Sequence, residues 1–415
     1  MIGRISAGLV LACAASLFAT TAPAQQQETP AAAATPAPPP PTPGMPTTEA
    51  ATKLKGISAP PFAAAPDKLP LADLKVPKGF KIEVFASGIP DARSLRIGDK
   101  GTVFVSNRVR DKVYAIVDKD GKREVKVIAS GLDRPNGLAF KDGTLYIAEG
   151  TRISKLDKIE DNLDNPPKPV LIYSDFPNHQ SHGWKFMALG PDDKLYVNVG
   201  APCNICIPPD TNSQIRRLNL DGSTPEVYIR GNRNSVGFDW NPVTKELYFT
   251  DNGRDWLSEE LPNDELNRVT KMGEHFGFPY CHQGNIPDQQ YGWGRSCSEF
   301  TPPVALLGPH AAALGMRFYT GSMFPAKYHN AIFIARHGSW NKTNKIGGDI
   351  YVVYLNKDGT VKAQEPFMTG FIQNNDYVGR PVDVQPMKDG SLLVSDDYAG
   401  AVYRITYGNG KVASR

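Results

Sequence analysis

Pairs of short apolar segments recur along the sequence, and no other feature limits the fold as strongly. In each pair a polar turn precedes an apolar segment, and a second apolar segment follows after another turn. The pairs lie at residues 99–106 and 113–118, 141–148 and 152–156, 191–197 and 214–218, 243–251 and 265–269, 328–335 and 349–353, and 388–396 and 401–405. Alternating apolar and polar residues bounded by turn residues are typical of β-hairpins. The sequence therefore predicts six successive hairpins.

The spacing of these hairpins predicts how they are arranged. Successive pairs begin about 40 to 85 residues apart, and the widest interval follows the fourth pair, where we expect a long insertion. A hairpin repeated at such intervals is typical of propeller blades. Helical periodicity is scarce, which argues against a TIM barrel or a Rossmann fold. We therefore predict an all-β fold, a six-bladed β-propeller.

The residues before the propeller are expected to serve export and spacing. Residues 1–24 have the pattern of a signal peptide, with an early arginine, an apolar stretch and small residues before the cleavage site. Residues 25–70 are rich in proline and alanine and have too little apolar area to fold, so we expect a disordered linker. The propeller domain then spans residues 71–415. We expect a periplasmic or secreted protein without a transmembrane segment.

The charge balance excludes one class of partner. The chain carries 46 lysines and arginines against 43 acidic residues, which gives a formal net charge of +3. Proteins that bind nucleic acids normally carry a clear basic excess, because they must neutralise phosphates. We therefore expect no nucleic-acid partner.

The cysteines also point to an exported protein. Removal of the signal peptide would take away Cys13 and leave four cysteines, and an even number in an exported chain favours disulfides. The spacing suggests one bond between Cys203 and Cys206 and another between Cys281 and Cys297. A zinc site made of the four thiolates is the alternative, although an oxidising compartment disfavours it.

Polar residues recur at the same position of each repeat, just before the inner strand of the predicted blade. These positions are residues 91–95, 134–138, 182–184, 231–237, 314–316 and 379–383. Propellers gather functional groups at one end of the central channel, so these arginines, asparagines and a histidine should converge. A cluster of guanidinium groups indicates an anionic ligand. An isolated Arg-Asn pair would more commonly only fasten a loop.

Two further stretches are candidates for chemistry. Residues 178–185 contain His179 and His182 ahead of a strand, and a neutral imidazole there can accept a proton near pH 7. Each histidine could equally be a structural residue bonded to the backbone. Residues 251–256 combine a glycine turn with carboxylates, which can expose backbone carbonyl oxygens to calcium. Without the spacing of an EF-hand, an ordinary blade insertion is the alternative.

Several motifs taken together resemble a known family. They are His182-Gly183-Trp184-Lys185, Gly200-Ala201-Pro202-Cys203-Asn204-Ile205-Cys206, Gly231-Asn232-Arg233-Asn234, Asp251-Asn252-Gly253-Arg254-Asp255, Asp264-Glu265-Leu266-Asn267, Arg336-His337-Gly338-Ser339-Trp340 and Gly379-Arg380-Pro381. In this order they resemble the soluble quinoprotein sugar dehydrogenases, which bind pyrroloquinoline quinone (PQQ), and most closely the L-sorbosone dehydrogenase-like branch. The resemblance covers residues 76–407.

The resemblance implies a fold and a reaction. It implies a six-bladed propeller with PQQ and calcium at the channel mouth. Members of the family oxidise a sugar hydroxyl or a hydrated aldehyde carbon, as in aldoses or sorbosone, by hydride transfer to the quinone. The electrons would pass to an external periplasmic acceptor, a cytochrome or a quinone.

The resemblance also implies roles for individual residues. His182 would be the catalytic base, although His179 begins a motif found in the glucose-oxidising relatives and remains the alternative. Arg233, also catalytic, and Asn234 would hold the quinone oxygen at which negative charge develops. Arg336 and Arg380 would bind the carboxylates of the cofactor. The backbone carbonyls of Gly253 and Arg254 would coordinate calcium.

Two other functions fit the same fold prediction. A calcium-dependent propeller lactonase or hydrolase would use asparagine and acid side chains around the axis, and Asn136, Asn234 and Asp383 could serve. A non-catalytic propeller that binds a cell-envelope partner is the second, because a fold alone does not establish an activity.

Overall fold

The six predicted hairpins form a closed ring of blades. The structure, a computed structural model, describes residues 52–119 and 122–408. Within these ranges the strands form six four-stranded antiparallel sheets and two small hairpins. The first strands of neighbouring sheets contact one another around a common axis, which confirms the predicted all-β six-bladed propeller. The predicted signal peptide and the linker up to residue 51 lie outside the described residues.

The blades are numbered in chain order, and the sixth also contains the first strand of the chain. That strand is β1 (Phe80–Ser87). Blade 1 contains β2 (Leu95–Ile97), β3 (Val103–Ser106), β4 (Val113–Lys119) and β5 (Lys122–Ala129). Blade 2 contains β6 (Gly137–Lys141), β7 (Thr144–Ala148), β8 (Ile153–Leu156) and β9 (Val170–Tyr173). Blade 3 contains β10 (Met187–Leu189), β11 (Leu195–Val199), β12 (Gln214–Leu218) and β13 (Glu226–Arg230).

The remaining elements follow in the same order. Blade 4 contains β14 (Gly237–Trp240), β15 (Leu247–Asp251), β16 (Asn263–Val269) and, after the hairpin of β17 (Cys281–His282) and β18 (Ile286–Pro287), β19 (Ala305–Pro309). Blade 5 contains β20 (Ala313–Phe318), β21 (Ile332–Arg336), β22 (Asp349–Leu355) and β23 (Val361–Met368). A second hairpin of β24 (Ile372–Gln373) and β25 (Asp376–Tyr377) precedes blade 6, which contains β26 (Pro381–Pro386), β27 (Leu392–Asp396) and β28 (Ala401–Tyr407). Short 3₁₀ turns span Pro66–Lys68, Pro70–Ala72, Ile159–Asp161, Cys297–Glu299 and Ala326–Tyr328.

The predicted hairpins correspond to the second and third strands of each blade. These strands are covered on both faces by the neighbouring blades, so all residues of β11 and of β27 are buried. One apolar cluster fills each of the six junctions between neighbouring blades. Burial of β-branched and aromatic side chains between the sheets is the main force that holds the ring together.

The ring is closed by pairing the two ends of the folded chain. Strand β1 is the outer strand of blade 6 and pairs antiparallel with β28, so that Phe80 faces Tyr407 and Ile82 faces Ile405. The Phe80 ring packs edge-on against Phe324 of blade 5, with 4.8 Å between ring centroids. The first and last strands therefore stabilise the same blade.

The predicted insertion and both predicted disulfides are present. Residues 270–304 separate β16 from β19 of blade 4 and carry the small hairpin of β17 and β18. A disulfide joins Cys281 to Cys297 within this insertion. A second disulfide joins Cys203 to Cys206 in the loop between β11 and β12. The two bonds confirm the pairing suggested by the sequence.

Part of the segment assigned to the linker lies against the propeller. The backbone N–H of Ala64 donates to the carbonyl oxygen of Ala399 in blade 6, at 2.8 Å. Pro70 is buried at the start of a 3₁₀ turn. Among the described residues, no helix has the length and apolar character that a membrane span requires.

Candidate functional site

A cavity of about 290 Å³ lies at the end of the ring where the inner strands begin. Its polar lining comes mainly from the loops that precede the inner strands and from the loops after β15 and β21, and Arg108 after β3, Asp264 in β16 and His310 after β19 complete it. The lining includes Arg93, Arg108, His182, Trp184, Arg233, Asn234, Asn252, Gly253, Asp255, Asp264, His310, His337, Trp340, Asn341 and Arg380. Five of the six predicted loop positions contribute residues to this lining, whereas residues 134–138 of blade 2 do not. In blade 5 the predicted stretch 314–316 lies inside β20, which begins at Ala313.

Arg380 is a buried cation whose guanidinium donates its hydrogen bonds to backbone carbonyl oxygens and lies over the Tyr377 ring, 4.9 Å from the centroid. It is 4% exposed and donates to the carbonyl oxygens of His337 (3.1 Å), Gly338 (2.8 Å) and Ile57 (3.2 Å). In the part of the chain that the structure describes, its guanidinium makes no ion pair with an acidic side chain. Burial lowers the pKa of Arg380 from its ordinary value. A desolvated guanidinium without a counter-ion favours the binding of an anion.

Arg93 and His337 share one carboxylate beside the cavity. Arg93 Nη1 contacts Asp397 Oδ2 at 2.8 Å, and His337 Nε2 contacts Asp397 Oδ1 at 2.9 Å. Burial acts to raise the pKa of Asp397, but His337 and Arg93 outweigh it and hold that pKa well below its usual range. Burial, followed by the charge of Arg380, lowers the pKa of His337 to about 3. The imidazole is therefore neutral at pH 7.

Arg108 adds a further cation to the cavity lining. The Arg108 guanidinium lies over the Trp184 ring, 4.8 Å from its centroid, and its Nε has no partner. The sequence did not single out Arg93, Arg108 or His337 as site residues. The signal for Arg93 was its place in the repeated loop position of blade 1, and the signal for His337 was its neighbour Arg336.

Arg233 is held in place by the disulfide loop and by the end of β15. Its Nε donates to the carbonyl oxygen of Asn204 at 2.8 Å, and its Nη2 donates to Asn204 Oδ1 at 2.9 Å. Its Nη2 also contacts Asp255 Oδ2 at 3.3 Å. The Asp251 carboxylate accepts the backbone N–H groups of Arg233 and Asn234, at 2.8 and 2.7 Å. The Cys203–Cys206 loop thus fixes the direction of a cavity cation.

His182 reaches the cavity in a form that can accept a proton. Its Nδ1 lies 2.8 Å from the carbonyl oxygen of Ala201, which is an acceptor only, so Nδ1 carries the proton and Nε2 keeps its lone pair. Burial, followed by the charge of Arg233, lowers the pKa of His182 to about 3. Gly200 is required beside it, because a Cβ there would lie 2.6 Å from His182 Cβ.

The alternative base, His179, lies elsewhere. It is not on the cavity lining, and its carbonyl oxygen accepts a hydrogen bond from Arg134 Nη1 at 2.9 Å. Of the two predicted histidines, the structure brings only His182 together with Arg233 and Arg380.

Arg336 is not brought to the cavity. Its guanidinium pairs with Asp349 through Nε at 2.7 Å and through Nη2, and it stacks over the Tyr351 ring at 3.9 Å. Arg336 and Asp349 face each other across the pairing of β21 and β22. The neighbouring residue His337, rather than Arg336, lies on the cavity lining.

The predicted calcium residues are divided between the cavity and its surroundings. Gly253 lies on the cavity lining, whereas the Arg254 side chain turns to the buried Asp288, 2.7 Å away. Gly253 N–H donates to Asp264 Oδ1 at 2.9 Å, and burial raises the pKa of Asp264 to about 7. Within residues 52–119 and 122–408 no three His, Cys, Asp or Glu side chains form a metal-binding group. Calcium coordination by the backbone carbonyl oxygens of Gly253 and Arg254 stays a prediction.

Five buried polar atoms on the cavity lining have no hydrogen-bond partner among the described residues. Buried atoms without a partner include Asn234 Oδ1, Asn341 Oδ1, His310 Nδ1, Trp184 Nε1 and Arg108 Nε, and all five residues line the cavity. Buried polar groups are normally hydrogen-bonded, because leaving one unpaired costs roughly 1–3 kcal/mol. Acceptor oxygens near Gly253 suit a hard cation, and the guanidinium groups suit carboxylates. The residues present therefore fit PQQ and calcium.

The residues proposed for a lactonase are not brought together. Asn136 is buried and donates to the carbonyl oxygen of Lys185 at 3.1 Å. Asp383 is buried beneath the cavity, where it accepts from Leu95 N–H (2.9 Å) and Arg317 Nη2 (3.2 Å). Of the three candidates, Asn234 lines the cavity.

The TrAA12-like family matches residues 74–408, and the chain belongs to this family. An uncharacterized protein of Borreliella burgdorferi is 34% identical over 350 residues, which covers 80% of this chain and 91% of that protein. These matches agree with the resemblance predicted from the sequence.

Solved structures share the fold at low sequence identity. A Trichoderma reesei Carbohydrate-Active Enzymes Family AA12 calcium structure has a TM-score of 0.71 at 18% identity, covering 85% of this chain and 99% of the other. The holo form of the Coprinopsis cinerea pyranose dehydrogenase PQQ domain has a TM-score of 0.67 at 20% identity, covering 84% and 98%. The PQQ-bound aldose sugar dehydrogenase of Streptomyces coelicolor has a TM-score of 0.59 at 18% identity, covering 80% and 99%.

Proposed function

We propose that this protein is a PQQ- and calcium-dependent oxidoreductase that oxidises a sugar. The observation that carries the proposal is a buried cavity with four guanidinium groups, those of Arg93, Arg108, Arg233 and Arg380. The last of these has carbonyl contacts in place of an acidic partner. A ligand rich in carboxylates would supply the missing negative charge, since guanidinium groups bind carboxylates with two parallel hydrogen bonds.

The cavity residues divide into groups with different tasks. Arg380, Arg93 and Arg108 would bind carboxylates of the cofactor, with His337 held neutral beside them. Arg233 and Asn234 would contact a quinone oxygen, where fixed positive charge and an amide stabilise developing negative charge. PQQ, when bound, supplies the hydride acceptor that no amino acid side chain provides. Carbonyl oxygens at Gly253 and Arg254 would hold the calcium ion.

His182 is the residue that would take the substrate proton. Its Nδ1–H is committed to the Ala201 carbonyl oxygen, which fixes the ring and leaves Nε2 as the acceptor. The low pKa keeps the base form fully populated at pH 7. An anionic ligand near Arg233 would offset part of the positive field and raise this pKa toward the range that suits a general base.

The finer assignments concern the substrate and the cellular setting. We propose an aldose or a sorbosone-type substrate, oxidised at a hydroxyl or hydrated aldehyde carbon. We further propose that the protein works in the periplasm or is secreted, and passes electrons to a cytochrome or quinone. Two disulfides support an oxidising compartment.

Reconstitution tests the proposal. Protein purified without cofactor is mixed with PQQ and calcium, and reduction of an acceptor dye is followed with a panel of aldoses and sorbosone. We expect turnover only when both are present. His182→Gln should lower kcat/KM by roughly 10²–10⁴-fold, the contribution of a positioned base, while His179→Gln should change it little.

Other outcomes would contradict the proposal. Turnover without PQQ, or hydrolysis of lactones in place of sugar oxidation, would favour the hydrolase. Absence of turnover with the whole panel, despite tight binding of an envelope component, would favour a binding propeller. Equal losses in the two histidine variants would remove His182 from the role of base.

A further inference from the structure

Two residues from the segment ahead of the propeller reach the cavity, and the chemistry described above does not use them. Gly56 and Ile57 lie on the cavity lining with Arg380 and His337. The carbonyl oxygen of Ile57 accepts a hydrogen bond from Arg380 Nη1 at 3.2 Å. The other two carbonyl oxygens that Arg380 contacts come from the loop after β21. A distant segment therefore completes the surroundings of a central cation.

The same segment is anchored to blade 6 a few residues later. Ala64 N–H donates to the Ala399 carbonyl oxygen, and Ala63 packs against Gly400. Gly400 has a φ of +70°, and a Cβ there would lie 2.5 Å from Ala63 Cβ, so the close approach needs glycine. This loop of blade 6 also carries Asp397. The anchor thus holds the segment next to the cavity.

Packing into the core does not explain the path of this segment. None of residues 52–69 is buried, and Phe62 is 80% exposed. The described polar contact at its cavity end is instead with Arg380, which is almost completely buried. A carbonyl dipole aimed at a guanidinium fixes the orientation of that group. The cavity contact is therefore better explained by ligand binding than by core stability.

We propose that residues 55–57 form one wall of the ligand site, so that a bound ligand is contacted by this segment as well as by the propeller. The proposal rests on the proposed function, with PQQ as the ligand. Arg380 has five N–H donors, and the three carbonyl contacts leave N–H groups free for a carboxylate. The segment acts as a positioning and specificity-determining part of the site.

Limited digestion of the full-length protein with trypsin tests this wall. The exposed Lys55 lies inside the segment, and the exposed Lys68 lies outside it and serves as an internal control. We expect saturating PQQ with calcium to slow cleavage after Lys55 at least fivefold, measured by mass spectrometry. Cleavage after Lys68 should change less than twofold.

A pair of matched variants provides a second readout. Ile57→Asp adds a carboxylate on the cavity wall, whereas Ser58→Asp adds the same charge at the next, exposed residue. We expect Ile57→Asp to raise the Kd for PQQ at least tenfold, measured by fluorescence titration, and Ser58→Asp to raise it less than threefold. Neither change alters the core.

The possible failures can be told apart. If PQQ binds but cleavage after Lys55 is unchanged and the two variants bind equally well, the wall is refuted and the proposed cofactor stands. If the wild-type protein does not bind PQQ, both proposals fail.

Discussion

At the residue scale, the partners of an arginine influence whether its guanidinium can bind a ligand. Arg336 and Arg380 are both predicted from the sequence to bind cofactor carboxylates. In the structure Arg336 is paired with Asp349, while the Arg380 guanidinium donates to carbonyl oxygens and lies over the Tyr377 ring. The sequence shows that arginines are present, but the identity of their neighbours depends on strand register. The pair of Arg336 and Asp349 joins β21 to β22, whereas Arg380 forms no salt bridge among the described residues and lies on the cavity lining.

This contrast leads to a prediction on binding. Arg380→Lys should raise the Kd for PQQ at least 30-fold, because an ammonium group cannot replace a guanidinium that makes several directed hydrogen bonds. Arg336→Lys is the matched control and should leave the Kd within about twofold while lowering thermal stability. Titration of both variants with PQQ measures this. A larger effect of Arg336→Lys would return that residue to the cofactor site.

A second prediction at this scale concerns pH. Because the pKa of His182 falls to about 3 in the folded state from an ordinary value of 6.5, the unfolded state binds more protons between these values. This histidine's contribution to stability is therefore complete above pH 6.5 and is lost as the pH falls toward 3. Replacing it with glutamine should remove up to ~1.4 kcal/mol of pH-dependent stability per pH unit in that window.

The test compares the pH dependence of the unfolding free energy between wild type and the His182→Gln variant. Burial raises the pKa of Asp251 to about 6 and of Asp264 to about 7, so these groups contribute with the opposite sign. Denaturation of wild type and His182→Gln at several pH values isolates the histidine term in the difference. Identical pH slopes for the two proteins would show that this imidazole titrates normally.

At the element scale, the end of β21 shows what sequence reasoning can and cannot reach. The sequence identifies the motif of residues 336–340 and predicts that Arg336 contacts the cofactor. In the structure, His337 lies on the cavity lining and Arg336 does not. Arg336 is the last residue of the strand and faces Asp349 on β22, whereas His337 follows the strand and enters the cavity. Side chains alternate between faces in a strand, so an error of one residue reverses the direction. The acidic residue Asp349, opposite Arg336 in the hairpin, was the sequence signal that Arg336 would be paired.

The two disulfides should differ in what they stabilise. The Cys203–Cys206 bond spans a sequence separation of 3 and carries the residue that holds Arg233, whereas the Cys281–Cys297 bond spans 16. Because a disulfide lowers the entropy of the unfolded chain, we expect the bond across the longer loop to stabilise the fold by roughly 3 kcal/mol and the bond across the shorter loop by about half as much. Replacing both cysteines of the short loop by serine should therefore reduce kcat strongly with a smaller loss of stability.

Replacing both cysteines of the long loop by serine is the matched comparison. It should lower the free energy of unfolding more, and leave the PQQ affinity within about threefold. Denaturation and cofactor titration on the two double variants check this. If the short-loop variant kept full activity, the positioning of Arg233 by that loop would be wrong.

At the scale of the whole molecule, the repeat predicted the fold because it reflects the part of each blade that is covered on both faces. Second strands such as β11 and β27 are buried along their whole length, and their apolar residues are therefore visible in the sequence. The other strands were harder to recognise. Inner strands such as β2 are three residues long, and outer strands such as β5 are largely exposed and polar. Tertiary pairing, rather than local pattern, makes these segments into strands.

Because β1 closes the ring, we expect substitutions that weaken its packing to lower the free energy of unfolding. Phe80→Ala should lower the free energy of unfolding by about 3 kcal/mol, because it empties an aromatic cluster between blades 5 and 6. Lys81→Ala, at an exposed position on the same strand, should change it by less than about 0.5 kcal/mol. Chemical denaturation measures both. Equal effects would mean that this junction contributes little to stability.

The pairing of β1 with β28 also has a consequence for biosynthesis. The first strand to leave the ribosome or the export channel is Phe80–Ser87, and its partner is among the last residues to be made. Throughout translation that edge remains open, a template for intermolecular pairing, so the nascent chain depends on chaperones until the final blade is complete. A chain truncated before residue 401 would lack β28 and could not close the ring. We expect proteases to degrade such a chain whether or not the cofactor is present.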